Sequence, residues 1–162
     1  MDSYIKILPS STIPYFSKGN IQLHHILLDV LKQVGEADVF ISSFTISEEF
    51  IRKLYKLKTQ GIVKSLTLLI DLRSSKKTLH LSYFLSKVAD EVYLANNHSK
   101  IILVKNKDHK VSIVTSQNQT RGNRYEAGMV CTQESVYDFY QKNIDEELPK
   151  FLSIHGVFRR NP

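Results

Sequence analysis

Apolar and polar positions follow one another in two rhythms along this chain, and the rhythm changes near residue 90. From Asn20 to Gly35, Ile21, Leu23, Ile26, Leu27, Val30, Leu31 and Val34 recur at helical spacing, with Asn20 as cap and Gly35 as stop. ADVFISSFTI (37–46) is β-branched and aromatic enough for a buried strand. TISEEFIRKLYKLKTQG then reads as an amphipathic helix running from the capping pattern Thr45-x-x-Glu48 to Gly61. SLTLLIDL (65–72) is a continuous apolar run of the kind that lies beneath helices on both faces, and TLHLSYFLSKVA (78–89) returns to helical spacing. A helix between two strands makes them parallel neighbours.

In the second half EVYLA (91–95), HSKIILVK (98–105), KVSIVTSQ (110–117) and AGMVCT (127–132) are short strands separated by turns, the pattern of a meander edge. SVYDFYQKNIDEEL, entered from Glu134, is a last helix whose spacing makes Val136, Phe139, Tyr140 and Ile144 its buried stripe. The sum is an α/β chain, a mixed β-sheet flanked by helices on both faces. No repeat, linker or low-complexity tract interrupts it, so one domain is expected over 1–162, with its folded part from about residue 5 to about residue 155.

Composition narrows the class. The chain has 162 residues, 42% hydrophobic and 23% charged, which suits a single core and excludes wholesale disorder; six glycines and four prolines exclude a collagen-like sequence. The longest apolar runs, Leu66–Ile70 and Ile101–Val104, are far below the roughly 20 residues that cross a bilayer. The opening MDSYIKILPSSTIPYF lacks a basic segment leading into an apolar one, so a soluble, cytoplasmic protein is expected. Cys131, alone in AGMVCT, reads as a small buried hydrophobe. Twenty-two basic against sixteen acidic side chains, a net charge of +6, favour a polyanionic partner such as nucleic acid.

Candidate chemistry concentrates between residues 96 and 130. Period-2 alternation puts His98 and Lys100 on one strand face with Ile102 and Val104, and places Ser116 with Asn118 on one face of the next strand. If 106–110 all lie outside the ladder, Lys105 stands opposite Val111, Lys100 opposite Ser116 and His98 opposite Asn118, at about 4.5–5.5 Å. A three-residue loop slides the pairing by two and keeps the faces together. An imidazole, a cation, a hydroxyl and an amide on one rigid sheet suit a phosphate: Lys100 neutralises its oxygens, Ser116 and Asn118 donate to them, and neutral His98 attacks phosphorus. Such a scheme needs no metal and no other cofactor. Spacing alone does not separate it from a solvated sheet edge with Ser116 and Asn118 as turn formers.

His98-Ser99-Lys100, then Thr115-Ser116-Gln117-Asn118-Gln119-Thr120, then Arg124-Tyr125-Glu126-Ala127-Gly128 resemble the ordered signature of the phospholipase D superfamily: H-x-K, G-S-x-N and a glutamate opening a strand. The resemblance implies a phospholipase D-like sandwich in which His98 forms a phosphohistidine, Lys100 and Asn118 hold the phosphoryl oxygens, and Glu126 orients the histidine through its far ring nitrogen. Two positions depart from the pattern. The family's H-x-K-x4-D would place an aspartate where Lys105 stands, and Asp108 lies in the expected loop; Thr115 replaces the usual glycine. Reduced turnover is therefore one expected outcome.

None of His24, His25, His80, His109 and His155 is followed by x-Lys, so the chain carries one motif. Single-motif members resemble half of the two-motif enzymes, and two chains complete one site across a twofold axis. The resemblance thus implies a homodimer in which His98 of one subunit is the nucleophile and His98 of the other is the general acid. Short single-motif members are commonly nucleases, which implies DNA or RNA as substrate, with Lys105, Lys107, Lys110, Arg121 and Arg124 as a rim for the phosphate backbone. Tyr125 is a candidate for stacking on a base, and RSSKKT (73–78) a weaker phosphate contact or a solvated helix start. A nucleic-acid-binding module without turnover, or a lipid or small-molecule phosphodiesterase, are the other readings; no membrane-binding amphipathic helix supports the lipid one.

Overall fold

The computed structural model describes residues 3–74 and 82–154. Eight strands form one mixed sheet in the order β1-β7-β6-β5-β2-β3-β4-β8. In chain order these are β1 (Thr12–Lys18), β2 (Ala37–Ser43), β3 (Val63–Asp71), β4 (Glu91–Ala95), β5 (Ile101–Lys105), β6 (Lys110–Thr115), β7 (Tyr125–Cys131) and β8 (Leu152–Ser153). Helices α1 (Leu23–Val34), α2 (Glu48–Thr59), α3 (Ser82–Val88) and α4 (Glu134–Glu147) cover it.

β2, β3 and β4 are parallel, as helical connections require, and every other pairing is antiparallel. EVYLA is therefore not part of the meander, which comprises β5, β6 and β7 alone. The larger core lies on one face, where Ile26, Val30, Leu31, Ile51 and Leu54 meet Ile41, Leu68, Ile102 and Ile113; each buried Leu or Ile there contributes roughly 1.5–3 kcal/mol. On the other face Phe40, Leu69 and Leu103 meet Tyr137 of α4.

Several local expectations shift. α1 ends at Gly35 as the spacing indicates, its positive φ being open to glycine, but its N-cap is Gln22 instead of Asn20. Ser47, not Thr45, caps α2, its hydroxyl accepting from the Phe50 N–H at 3.3 Å. On α4, Tyr137 is the buried residue and Phe139 is 62% exposed, because the stripe facing the sheet runs Tyr137, Tyr140, Ile144. The N-terminal stretch that looked irregular holds β1, which pairs along its whole length with β7. His80, His155 and most of RSSKKT lie outside the described residues. No described helix is long and apolar enough to cross a membrane.

Candidate active site

The register of β5 with β6 decides what faces what. Asn106 closes the loop, its Oδ1 accepting from the N–H groups of Asp108 and His109 and its own N–H donating to the His109 carbonyl. Only 106–109 lie outside the ladder, so Lys105 pairs with Lys110. That is one residue away from the expected register, and a slip of one changes faces. Thr115, not Ser116, stands opposite Lys100, the Thr115 N–H donating to the Lys100 carbonyl at 3.1 Å. Asn118 correspondingly is not opposite His98.

Ser116 still joins the cluster, because the chain bends there. Its N–H donates to the Ala127 carbonyl at 2.9 Å, its Oγ accepts from the Ala127 N–H at 3.1 Å, and its hydroxyl donates to Oε2 of Glu126. Glu126 shares its strand face with Gly128 and Val130, which the ladder continues through Thr115 and Ile113 to Lys100 and Ile102. Lys100 Nζ lies 3.4 Å from Nδ1 of His98 and donates to the His98 carbonyl at 2.8 Å. Burial lowers the Lys100 pKa, and the Glu126 carboxylate partly counters it. Arg124 Nε stands 3.9 Å from Glu126 Oε1.

No hydrogen bond joins Glu126 to His98 among the described residues; the ring's neighbours are Lys100 and Phe44, whose centroid lies 5.4 Å from it. Thr115 in the usual glycine position is used: its Oγ1 accepts from the Tyr15 hydroxyl at 2.6 Å and from the Gln117 N–H at 3.1 Å. Burial raises the Tyr15 pKa, with Glu126 adding to the rise, so the phenol keeps its proton. Tyr15 lies over Gly128, where a Cβ would meet the phenol ring at 2.7 Å.

A buried polar frame holds the segment that carries His98. Asn97 donates its N–H to Asp71 Oδ2 at 2.9 Å, and its amide donates to Ser42 Oγ at 3.0 Å and to the Ser43 carbonyl at 3.3 Å. Its Oδ1 accepts from the Ser99 N–H at 3.1 Å and the Ser99 hydroxyl at 2.7 Å. Burial pushes the Asp71 carboxyl up, but the N–H groups of Asn97, Arg73 and Ser74 outweigh it and hold the pKa below the usual aspartate value. Phe44, Asn97 and Asp71 were not singled out from the sequence, although an aspartate ending an otherwise apolar run was a usable signal.

The basic rim is only partly assembled. Lys105, Lys107 and Lys110 sit at the far end of β5 and β6, a strand length of roughly 15 Å from Lys100. There Lys105 pairs in the ladder with Asp38, Lys107 lies 3.8 Å from Asp108, and Lys110 bonds Asp138 at 2.8 Å. Arg124 is at the site, and Arg73, at the end of β3, reaches Asn96 Oδ1 at 3.4 Å. Asn118 and Arg121 line a neighbouring niche against α1 and α2. Tyr125 is 72% exposed and stacks on Phe16 on the opposite sheet face from Glu126.

At the level of sequence, no family model and no curated protein matches the chain. Its fold, however, is similar to that of solved phospholipase D family structures. Nuc from Salmonella typhimurium, a phospholipase D family member, superposes with a TM-score of 0.63 at 15% identity, over 88% of this chain and 97% of Nuc. NucT from Helicobacter pylori gives a TM-score of 0.67 at 14% identity, over 88% of this chain and 99% of NucT. Phosphatidylserine synthase from Haemophilus influenzae gives 0.53 at 14% identity, over 87% of this chain and 40% of that one.

Proposed function

We propose that this chain is a phosphodiesterase that cleaves nucleic acid without a metal, through a phosphohistidine on His98, at a site shared by two subunits. The observation that carries the reading is the ammonium of Lys100 held against the His98 ring, with the Ser116–Glu126 pair on the same sheet face. In the resting chain the ammonium occupies the ring nitrogen and the backbone carbonyl. A diester's non-bridging oxygens compete for the same donors and draw Lys100 away, which frees the imidazole lone pair. His98 then attacks phosphorus, a P–N bond forms, and the P–O bond to the leaving alcohol breaks. The partner's His98 supplies the proton to that oxygen, and a water molecule afterwards hydrolyses the P–N bond and restores the ring. Phe44 walls the imidazole on one side, and when a diester binds the single Ser116 hydroxyl hydrogen turns from Glu126 to a phosphate oxygen.

Nucleic acid is the substrate class favoured by the net charge of +6 and by the cations Arg73, Lys100 and Arg124, at the carboxyl end of β3 and the openings of β5 and β7. The likeness to Nuc and NucT supports the same choice through their names alone. A binding module without turnover is the second reading, favoured by the lysine at position 105 and by the absence of a Glu126–His98 bond among the described residues. Plasmid, single-stranded DNA and RNA incubated in excess EDTA separate the two. Cleavage by the wild-type chain and none by His98→Ala is the expected result; retarded gel mobility with intact strands in both overturns the enzymatic reading and leaves the module.

A further inference from the structure

Beside the His98 cluster lies a second polar niche for which the phosphohistidine scheme has no use. The loop 117–123 crosses the start of α2, where the Ser47 N–H donates to the Gln119 carbonyl at 2.9 Å and Ile46 forms an isolated parallel bridge with Gln119. The side chains of His24, Glu49, Lys53, Asn118, Gln119 and Arg121 close around an innermost space of about 10 Å³, room for one water-sized group.

Two independent observations point to a ligand. Gln119 is 1% exposed, yet neither Oε1 nor Nε2 has a hydrogen-bond partner, and Oδ1 of Asn118 is buried in the same condition. Folded interiors rarely leave buried amides unpaired. Charge is the second. Lys53 and Arg121 face a single carboxylate, Glu49, which takes one Lys53 donor at 2.9 Å. A second Lys53 donor lies 2.7 Å from His24 Nε2, and the third remains available. Burial, then His25 and Lys53, lower the His24 pKa to about 4, so at neutral pH the ring accepts this bond and adds no charge. The amino end of α2 contributes further positive potential.

We propose that this niche is a second phosphate subsite, which holds a neighbouring phosphate of the nucleic-acid strand through Lys53, Arg121 and the Gln119 amide. It rests on the nucleic-acid reading above. Asn118 lies two residues beyond Ser116, at most about 7 Å along an extended chain, so niche and cluster share one rim. A phosphate oxygen at the mouth of the niche takes one donor from Lys53 and one from Arg121. A water in the innermost space accepts the Gln119 Nε2–H and donates one hydrogen to Asn118 Oδ1 and the other to the phosphate. Contacts of this kind set the strand's position without reading bases. An isolated diester has no second phosphate to place here, so the subsite selects a polymer over a small ester.

The test follows a labelled single-stranded oligonucleotide by fluorescence anisotropy across a salt series, with Lys53→Ala, Arg121→Ala and Gln119→Leu each placed in a His98→Ala background. Each lost cation should weaken binding roughly fivefold and reduce the slope of log affinity against log salt by about 0.7. In chains that retain His98, kcat/KM should fall about fivefold more on the oligonucleotide than on bis(p-nitrophenyl) phosphate. Arg121 is exposed and its removal leaves the core intact; circular dichroism checks the other two variants. Unchanged affinity and salt slope in both cation variants, with the wild-type chain binding, overturn the subsite and leave the nucleic-acid reading standing. A wild-type chain that neither binds nor cleaves overturns that reading and the subsite with it.

Discussion

Lys100 Nζ stands 3.4 Å from Nδ1 of His98 and donates, at 2.8 Å, to the carbonyl of the same residue, so one ammonium ties the ring to its own backbone. The pair is held from below by Asn97, which is buried and bonded on every polar atom of its amide. Cation and imidazole are thus preorganised on a frame whose cost is met by folding.

Removing the ring should stop the chemistry. His98→Ala is expected to lower diester cleavage by about a thousandfold or more while leaving the melting temperature within a few degrees, since the side chain is exposed. Rapid quenching of a wild-type reaction in alkaline denaturant should trap label on the protein that is base-stable and acid-labile; label on any residue other than His98 counts against the scheme.

The alkaline limb of activity should report Lys100. Its pKa is depressed, chiefly by burial, so the cation that phosphate needs is lost as pH rises through a value below the ordinary 10.5. Lys100→Arg, whose guanidinium does not deprotonate, should move that limb upward even where it lowers the maximal rate. A limb that stays in place assigns it to another group.

Acid should destabilise the fold through His24. Its pKa of about 4 in the folded chain, lowered first by burial and then by His25 and Lys53, lies under the ordinary 6.5, so the unfolded chain binds the proton first. The stabilisation is complete above about 6.5 and is lost as pH falls toward 4, on the order of 1–2 kcal/mol after allowance for solvent screening of a half-buried ring. His24→Gln should flatten the pH dependence of urea midpoints across that window.

The frame beneath His98 is testable by Asn97→Ala. Ser42, Ser99 and two carbonyls lose partners, at about 1–3 kcal/mol for the network. A drop in kcat well beyond that in KM, with affinity for a non-cleaved strand retained, marks a positioning role; an equal loss in all three marks a purely structural one. Gly128→Ala should destabilise by about 1–3 kcal/mol through collision with Tyr15 and the Val114 carbonyl, read by thermal melting.

A shared site requires two copies. Sedimentation should give about twice the 18.7 kDa of one chain. Wild-type and His98→Ala chains refolded together in equal amounts should retain roughly a quarter of the activity, because each productive dimer needs both rings. Half of the activity would indicate that each subunit works alone.

Helices α1 and α2 and the parallel pair β2 and β3 were legible because periodicity is local, although both N-caps fell elsewhere than expected. β1 was not: Thr12–Lys18 exposes Pro14 and Phe16 on one side and buries Ser17 on the other, a pattern that only its partner β7 explains. The register of β5 with β6 failed by one residue, since Asn106 makes a four-residue loop through its own side chain, which residue counting does not resolve. Of the expected grouping of His98, Lys100, Ser116 and Asn118, Ser116 is kept because the chain bends there and turns its hydroxyl toward Glu126, whereas Asn118 lines the neighbouring niche. The lysine rim failed because alternation says which face a residue takes, not which end of the strand it occupies. The frame of Asp71, Asn97, Ser42 and Ser99 joins three strands' ends and has no local signature.

Tyr15 and Thr115 clasp one another across 100 residues of chain, and among the described residues β1 has β7 as its sole neighbour in the sheet. During synthesis the opening strand must therefore wait, unpaired, until the stretch bearing Glu126 has left the ribosome. Closure of that edge and delivery of the carboxylate become a single late event, so a chain cut short before β7 is both unfinished at its margin and without the Ser116–Glu126 pair.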